Sequence, residues 1–333
     1  MKKIPKSRIK NLVRELEKNY DIIAPVRTGE RVFFKELGPD DEVYLKSNPT
    51  NSPKEFFLPY SEVLFEFKKT NDEFELKPNL ESRERILFGI RPCDVHSLLL
   101  LDLISGGEFE DPYYKEKREK TTLVSFSCLE PMDGCFCTSF GTGPSLKDGA
   151  DLLLTDIGDY YLAEPFTRKG EKIIKSKLFE NATKRDKKIK DERIKKAEEK
   201  IQKLDLEKIP EKLASLFDDK LWDELSKRCI SCAICTYLCP TCYCFDVIDE
   251  GKMFTVDGKR IRCWDTCMFP SFTRLAGGEN PRATKKERLR QRIYHKFKYI
   301  PDRYEKFGCV GCGRCVRYCP AGIDIMEIIS QIK

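Results

Sequence analysis

The sequence has few histidines, only two among 333 residues. Zinc sites of mixed type combine histidine nitrogens with cysteine thiolates, so two histidines leave little room for that class of site. Long apolar runs are also missing: the leucine-rich stretch at 97–101 ends at Asp102, whereas a membrane span needs about 18 apolar residues. We therefore expect no membrane helix and no membrane partner.

Two further features are absent. Residues 1–18 begin with a basic segment but continue as a charged amphipathic pattern, without the apolar centre of a secretory signal. The net charge is only +6, from 61 Lys and Arg against 55 Asp and Glu, so the sequence lacks the concentrated basic surface of nucleic-acid-binding proteins. We expect a cytoplasmic protein that binds no nucleic acid.

Cysteine, by contrast, is abundant, with 16 residues. Disulfides are disfavoured in a reducing compartment, where unpaired thiols are usually metal ligands or catalytic groups. Because histidine is scarce, iron–sulfur clusters are the favoured interpretation of these thiols.

Composition and charge pattern suggest how the chain is organised. With 40% hydrophobic and 35% charged residues, it can fold into roughly two domains. We predict an α+β protein with a mixed α/β domain over 1–165, a charged linker or helix over 166–209, and a mostly α-helical dicluster ferredoxin-like domain over 210–333. The alternating charges at 184–204 indicate a solvated connector or, alternatively, a partner-docking arm.

One segment of the first domain predicts a βαβ unit. Residues 86–90 and 121–126 have the pattern of buried strands, with a helical pattern at 94–104 between them. Cys93 then lies at the helix N-terminus, which favours a thiolate. Cys93 and Cys128 each follow a strand, so both lie at the sheet edge where α/β folds bind ligands. A hairpin at 151–174 closes the domain.

Two segments, 229–240 and 309–320, share the spacing C-x2-C-x2-C-x3-C-P. In this spacing three thiolates bind one cluster, and the fourth cysteine binds the other cluster. Zinc sites prefer pairs of C-x2-C arms instead. We therefore predict two [4Fe–4S] clusters with crossed ligation, the first held by Cys229, Cys232, Cys235 and Cys319, and the second by Cys309, Cys312, Cys315 and Cys239.

Eight cysteines lie outside these motifs, in two groups. The N-terminal group predicts a third [4Fe–4S] cluster, with structural thiols and zinc as alternatives, and consists of Cys93, Cys128, Cys135 and Cys137. The group between the motifs fits another cluster, a zinc site or shielding thiols, and consists of Cys242, Cys244, Cys263 and Cys267. We predict no flavin or nicotinamide site, because Pro144 interrupts the glycine pattern at 141–144.

Five stretches together resemble a known family: GIRPCDVHSL at 89–98, and the cysteine-containing stretches at 128–144, 228–247, 264–282 and 309–325. They are similar to the beta (iron–sulfur) chain of soluble sulfhydrogenases, which are NADP-linked [NiFe] hydrogenases, and to its relative in anaerobic sulfite reductase. The N-terminal cysteines match the family pattern. Cys263 departs from it, which weakens a four-cysteine site and leaves Cys242, Cys244 and Cys267 as candidate metal ligands.

The resemblance implies an iron–sulfur subunit that carries electrons between a flavin subunit, which handles NAD(P)H, and a catalytic subunit. That partner is a hydrogenase small subunit or a sulfite reductase catalytic subunit. We expect an electron-transfer subunit of a cytoplasmic oxidoreductase complex, without a substrate site of its own. One alternative is an enzyme that reduces a small oxidant at an N-terminal cluster with an open iron site. Another is a zinc-stabilised scaffold.

Overall fold

The computed structural model describes residues 1–70, 73–80, 83–251 and 255–332, so the predicted ranges 1–165 and 210–333 each include residues outside this description. The strands of the described residues are β1 (Lys2–Pro5), β2 (Asp21–Thr28), β3 (Arg31–Glu36), β4 (Ser61–Thr70), β5 (Glu73–Pro78), β6 (Arg85–Ile90), β7 (Thr121–Phe126), β8 (Leu152–Asp156), β9 (Tyr160–Pro165), β10 (Glu180–Asn181), β11 (Phe245–Gly251) and β12 (Gly258–Trp264). The helices are α1 (Ile9–Leu16), α2 (Pro92–Ser105), α3 (Pro112–Glu119), α4 (Arg168–Ile173), α5 (Lys184–Glu199), α6 (Ile209–Ser215), α7 (Leu221–Ser226), α8 (Ile234–Tyr237), α9 (Lys285–Tyr294), α10 (Ile300–Tyr304), α11 (Arg314–Arg317) and α12 (Ile325–Ser330).

The larger sheet has eight strands in the order β10-β1-β9-β8-β7-β6-β2-β3. Its central strands β2, β6, β7 and β8 pair in parallel, and its outer pairs are antiparallel. Every residue of β6 and β7 is buried, as expected for parallel strands covered on both faces. Helices α2 and α3 connect β6 to β7, which confirms the predicted βαβ unit and the mixed α/β content.

Alternate side chains of the central strands fill two apolar cores, one on each face of the sheet. Phe88 and Phe126 pack on the face covered by α1, whereas Leu87 and Leu123 pack on the face covered by α2. Helix α2 begins at Pro92, a position where the missing N–H leaves no hydrogen bond unmade. This packing fixes the start of α2, and with it Cys93, at the carboxyl edge of the sheet.

A second sheet joins distant parts of the chain in the antiparallel order β11-β12-β4-β5. Strands β11 and β12 lie within 210–333, so the mostly helical description of that unit is not confirmed. The partner of β12 is β4, and this pairing places Arg262 opposite Glu62. Their buried ion pair is 2.5 Å long, and Arg262 also pairs with Asp111 at the start of α3. The two sheets are therefore tied together through α3.

The charged segment 166–209 contains α4, β10 and α5. Helix α5 begins with a capping box between Thr183 and Asp186, an arrangement that satisfies two free N–H groups of the first turn. Along its length α5 pairs with the first domain through Lys190–Glu164 at 2.9 Å and Arg193–Asp156 at 2.6 Å. Part of its charge pattern thus serves contacts with the larger sheet.

A third core lies among α6, α7, α9 and α12, around the buried side chains of Trp222, Ile293 and Phe297. Phe136, from the N-terminal half of the chain, is buried in the same core. This insertion brings the loop that carries Cys135 and Cys137 against the C-terminal unit. None of the helices in the described residues combines the length and the apolar content required to cross a membrane.

Candidate iron–sulfur sites

The two duplicated motifs have the same local backbone. In each, a loop with left-handed residues leads into a single helical turn, α8 or α11. The equivalent N–H groups of Ser231 and Gly311 each donate to the sulfur of the first cysteine, Cys229 or Cys309, at 3.5 Å. Backbone N–H donors to sulfur stabilise the thiolate form that binds metal. The repeated spacing therefore produces a repeated ligand loop.

The predicted ligands of the first cluster lie around one cavity. Cys229, Cys232, Cys235 and Cys319 line it together with Cys315. Most of the other lining side chains are apolar, including those of Ala233, Met268, Leu289, Ile323 and Ile325. The structure thus brings Cys319 from the second motif to the three cysteines of the first.

The predicted ligands of the second cluster are also neighbours. Burial raises the pKa of Cys309 to about 12 and that of Cys312 to about 11, and the negative charges of Cys239 and Cys315 add to both shifts. Cys239 itself has a pKa held well below its usual range, chiefly by a hydrogen bond from Cys242. Cys239, the fourth cysteine of the first motif, therefore lies near the first three cysteines of the second motif.

The N-terminal cysteines also form a group. The charge of Cys135 acts on Cys128 and Cys137, and that of Cys128 acts on Cys93. The Nδ2 of Asn48 donates to the sulfur of Cys128 at 3.7 Å. Burial raises the pKa of Cys93 well above its usual range, which acts against the thiolate form expected at the start of α2.

This N-terminal group lies against the second motif. The N–H of Phe136 donates to the carbonyl of Gly311 at 2.9 Å, and the sulfur of Cys135 lies 3.6 Å from the carbonyl oxygen of Cys312. Beside Cys93, Asp94 accepts two hydrogen bonds from Arg314, at 2.5 and 3.1 Å, and both side chains are fully buried. Sequence reasoning missed this contact, because nothing in either segment indicates its partner.

The cysteines between the motifs do not form one group of four. The thiol of Cys242 donates a hydrogen bond to the sulfur of Cys239, and the thiol of Cys267 donates one to the sulfur of Cys244. Cys263 lies apart on β12, with its sulfur 3.9 Å from the hydroxyl of Ser61. A metal site formed by Cys242, Cys244 and Cys267 stays a prediction.

The donor sets fit a cluster better than a single ion. Within the described ranges, no three His, Cys, Asp or Glu side chains converge closely enough to hold one metal ion. A single zinc needs four ligands at about 2.3 Å from one centre, whereas a cubane is larger and supplies its own sulfide ions. Sets of cysteines around an apolar cavity therefore fit an iron–sulfur cluster better than a zinc ion.

Buried arginine nitrogens without acceptors also favour clusters. In the described part of the chain, four buried nitrogens lack a hydrogen-bond acceptor, the Nε atoms of Arg91, Arg288, Arg292 and Arg317. Arg292 lines the first cavity. The side chain of Arg317 reaches the N-terminal cysteines, where its Nη1 donates to the sulfur of Cys135 at 3.6 Å. The charge of Arg91 opposes the burial that raises the pKa of Cys128. Buried donors without acceptors are rare, and cluster sulfides would provide acceptors here.

Comparison with known proteins gives two matches. A family model for a 4Fe-4S dicluster domain matches residues 228–323, which include both motifs. The chain is also 32% identical over 327 residues to the beta subunit of sulfhydrogenase 2 from Pyrococcus furiosus, an alignment that covers 97% of this chain and 94% of the relative. No solved structure matches the chain.

Proposed function

Because the chain belongs to the family of sulfhydrogenase beta subunits, we propose that it relays electrons between a flavin subunit that handles NAD(P)H and a catalytic subunit such as a [NiFe] hydrogenase. Its dicluster domain makes it an iron–sulfur electron-transfer subunit. We further propose that it carries three [4Fe–4S] clusters, and that flavin and nicotinamide bind to a partner.

The observation that carries this proposal is the continuous series of cysteine sites. The first and second sites adjoin, since Cys315 lines the first cavity and its charge acts on Cys235. The second and N-terminal sites adjoin through Cys312 and Cys135. Such a series supports transfer of single electrons through the chain, which is the chemistry that the clusters supply when bound.

The chain's own residues hold and shield this series. Met268, Phe269 and Phe272 pack around the first cavity, and an apolar shell limits the access of water and tunes the potential of a cluster. The N–H of Ile323 donates to the sulfur of Cys319 at 3.3 Å. These contacts fix the thiolates in place before and after an electron passes.

Metal and sulfide analysis of the full chain, purified without oxygen, tests the proposal. Three clusters predict about twelve irons and about twelve acid-labile sulfides per chain, whereas zinc without sulfide would refute the relay. Oxidation of NADPH by the pure chain would show that the nicotinamide site does not lie on a partner. Identification of the subunits that copurify with the native chain distinguishes a hydrogenase from a sulfite reductase complex.

A further inference from the structure

Two buried cations lie between the duplicated motifs. Arg292 on α9 is 4% exposed, and Lys296, in the π-helical turn that continues α9, is 2% exposed. Neither forms an ion pair with a carboxylate among the described residues. Arg292 lines the first cavity and donates from Nη2 to the carbonyl of Cys235 at 3.4 Å. Lys296 donates from Nζ to the hydroxyl of Thr241 and to the carbonyl of Gly308, both at 2.9 Å.

A third cation near the cysteines differs in one respect. Arg314 is 2% exposed and lies beside Cys312, but it pairs with the fully buried carboxylate of Asp94 at 2.5 Å. That carboxylate neutralises its charge within the protein. Arg292 and Lys296 have no such carboxylate in the part of the chain that the structure describes, so their positive charges act on whatever fills the space among the cysteines.

An isolated buried charge is costly unless an opposite charge lies close to it. The nearby cysteines supply opposite charge when they bind a cluster as thiolates. The Nζ of Lys296 bonds to Thr241, two residues after Cys239, and to Gly308, directly before Cys309. Arg292 bonds to the carbonyl of Cys235, and Cys315 lines the same cavity.

We propose that Arg292 and Lys296 raise the reduction potentials of the two clusters held by the duplicated motifs. Reduction adds one electron, taken from a one-electron donor such as a reduced flavin or dithionite, and no proton needs to move. The reduced cluster carries one more negative charge than the oxidised cluster, so a fixed nearby cation attracts it more strongly. The cation therefore favours the reduced form. This inference rests on the proposed function, because it requires that both clusters are present.

Three variants of α9 separate charge from structure. Arg292→Gln removes the charge, and Arg292→Lys keeps it. Arg290→Gln makes the same change on the same helix at a residue that bonds Phe217 and Asp218, away from the cysteines. Lys296→Gln repeats the test beside the second site. Each full-length chain is first analysed for iron, and its clusters are then titrated with dithionite while the reduced signals are followed by EPR.

We expect Arg292→Gln and Lys296→Gln each to lower the ratio of reduced to oxidised cluster at least tenfold at a fixed potential, a shift of about 59 mV for one electron. Arg292→Lys and Arg290→Gln should stay close to the wild type. Unchanged potentials in iron-loaded Arg292→Gln and Lys296→Gln chains would overturn the inference, as would an equal shift in Arg290→Gln. If one Gln variant fails to load iron, the other decides. A wild-type chain without iron would instead refute the proposed function.

Discussion

The two duplicated motifs share one spacing but have different surroundings. In the first motif Cys232 is exposed, and Ile230 beside it is 62% exposed. In the second motif Gly311 and Gly313 press against the backbone of the N-terminal cysteine loop, and Arg314 is buried against Asp94. Spacing therefore defines which thiolates can hold a cluster, whereas the neighbours of each loop decide whether it faces solvent or the interior.

This difference gives the proposed relay one end at the surface. The first site lies at the surface, where a partner's redox centre can approach Cys232. The second site lies between the first and the N-terminal group, so it connects them. Substitutions near the second site should therefore disturb the N-terminal group of cysteines, whereas substitutions at the exposed side of the first site should not.

Loss of a ligand to the N-terminal group has the largest expected effect. Cys135→Ser should remove about four irons per chain, since a cubane that lacks a ligand is unstable, and should leave the EPR signals of the other two clusters. Cys263→Ser is the matched control, because Cys263 lies apart near Ser61. A full iron content in Cys135→Ser, equal to that of Cys263→Ser, would show that the N-terminal cysteines hold no cluster.

The next effect concerns the buried ion pair between the second motif and α2. Asp94→Ala leaves the buried Arg314 uncompensated, a change that costs about 3–5 kcal/mol in comparable pairs. Glu224→Ala removes the partner of Lys227 in an exposed pair, where we expect less than about 1 kcal/mol. Anaerobic denaturant unfolding measures both, and similar losses would mean that this contact does not join the two regions.

A smaller effect distinguishes two glycines, one within the second motif and one just after it. Gly311 and Gly322 have φ values of +62° and +61°, so alanine at either position pays about 1–2 kcal/mol for a left-handed backbone. An added Cβ at Gly311 would lie 2.5 Å from the backbone of Phe136 and Cys137, whereas that at Gly322 meets open space. Gly311→Ala should therefore lose about 1–3 kcal/mol more than Gly322→Ala in free energy of unfolding. Equal losses would contradict the close contact.

The smallest effect is kinetic. Because Cys232 is exposed, the first cluster should be lost a few-fold faster than the second when an iron chelator is added to the oxidised chain. A time course of the two EPR signals measures the order of loss. Earlier loss of the second cluster would reverse the surface and interior assignments.

Parts of this arrangement were predictable from local sequence. The motif spacing predicted which cysteines to group, because the ligand loops of a cluster are set by short-range backbone geometry. The buried strands 86–90 and 121–126 predicted the βαβ unit and the position of Cys93 on α2. These features depend on residues close together in the chain.

The features that were missed depend on distant partners. Strands β11 and β12 pair with each other, but their sheet is completed by β4, far away in the chain. Every residue of β11 is exposed, so this strand carries no alternation of buried and exposed positions. The buried cations had a weak signal: Arg292 and Lys296 fall among Leu289, Ile293 and Phe297, on a helix whose apolar residues are buried. Charged residues at such positions indicate an internal negative charge.

The most direct test of crossed ligation compares Cys319→Ala with Cys239→Ala by EPR of the reduced, full-length chain. We predict that Cys319→Ala loses the signal of the cluster held by Cys229, Cys232 and Cys235, and that Cys239→Ala loses the signal of the cluster held by Cys309, Cys312 and Cys315. If each variant instead loses the cluster of its own motif, the crossed arrangement, and the relay built on it, is wrong.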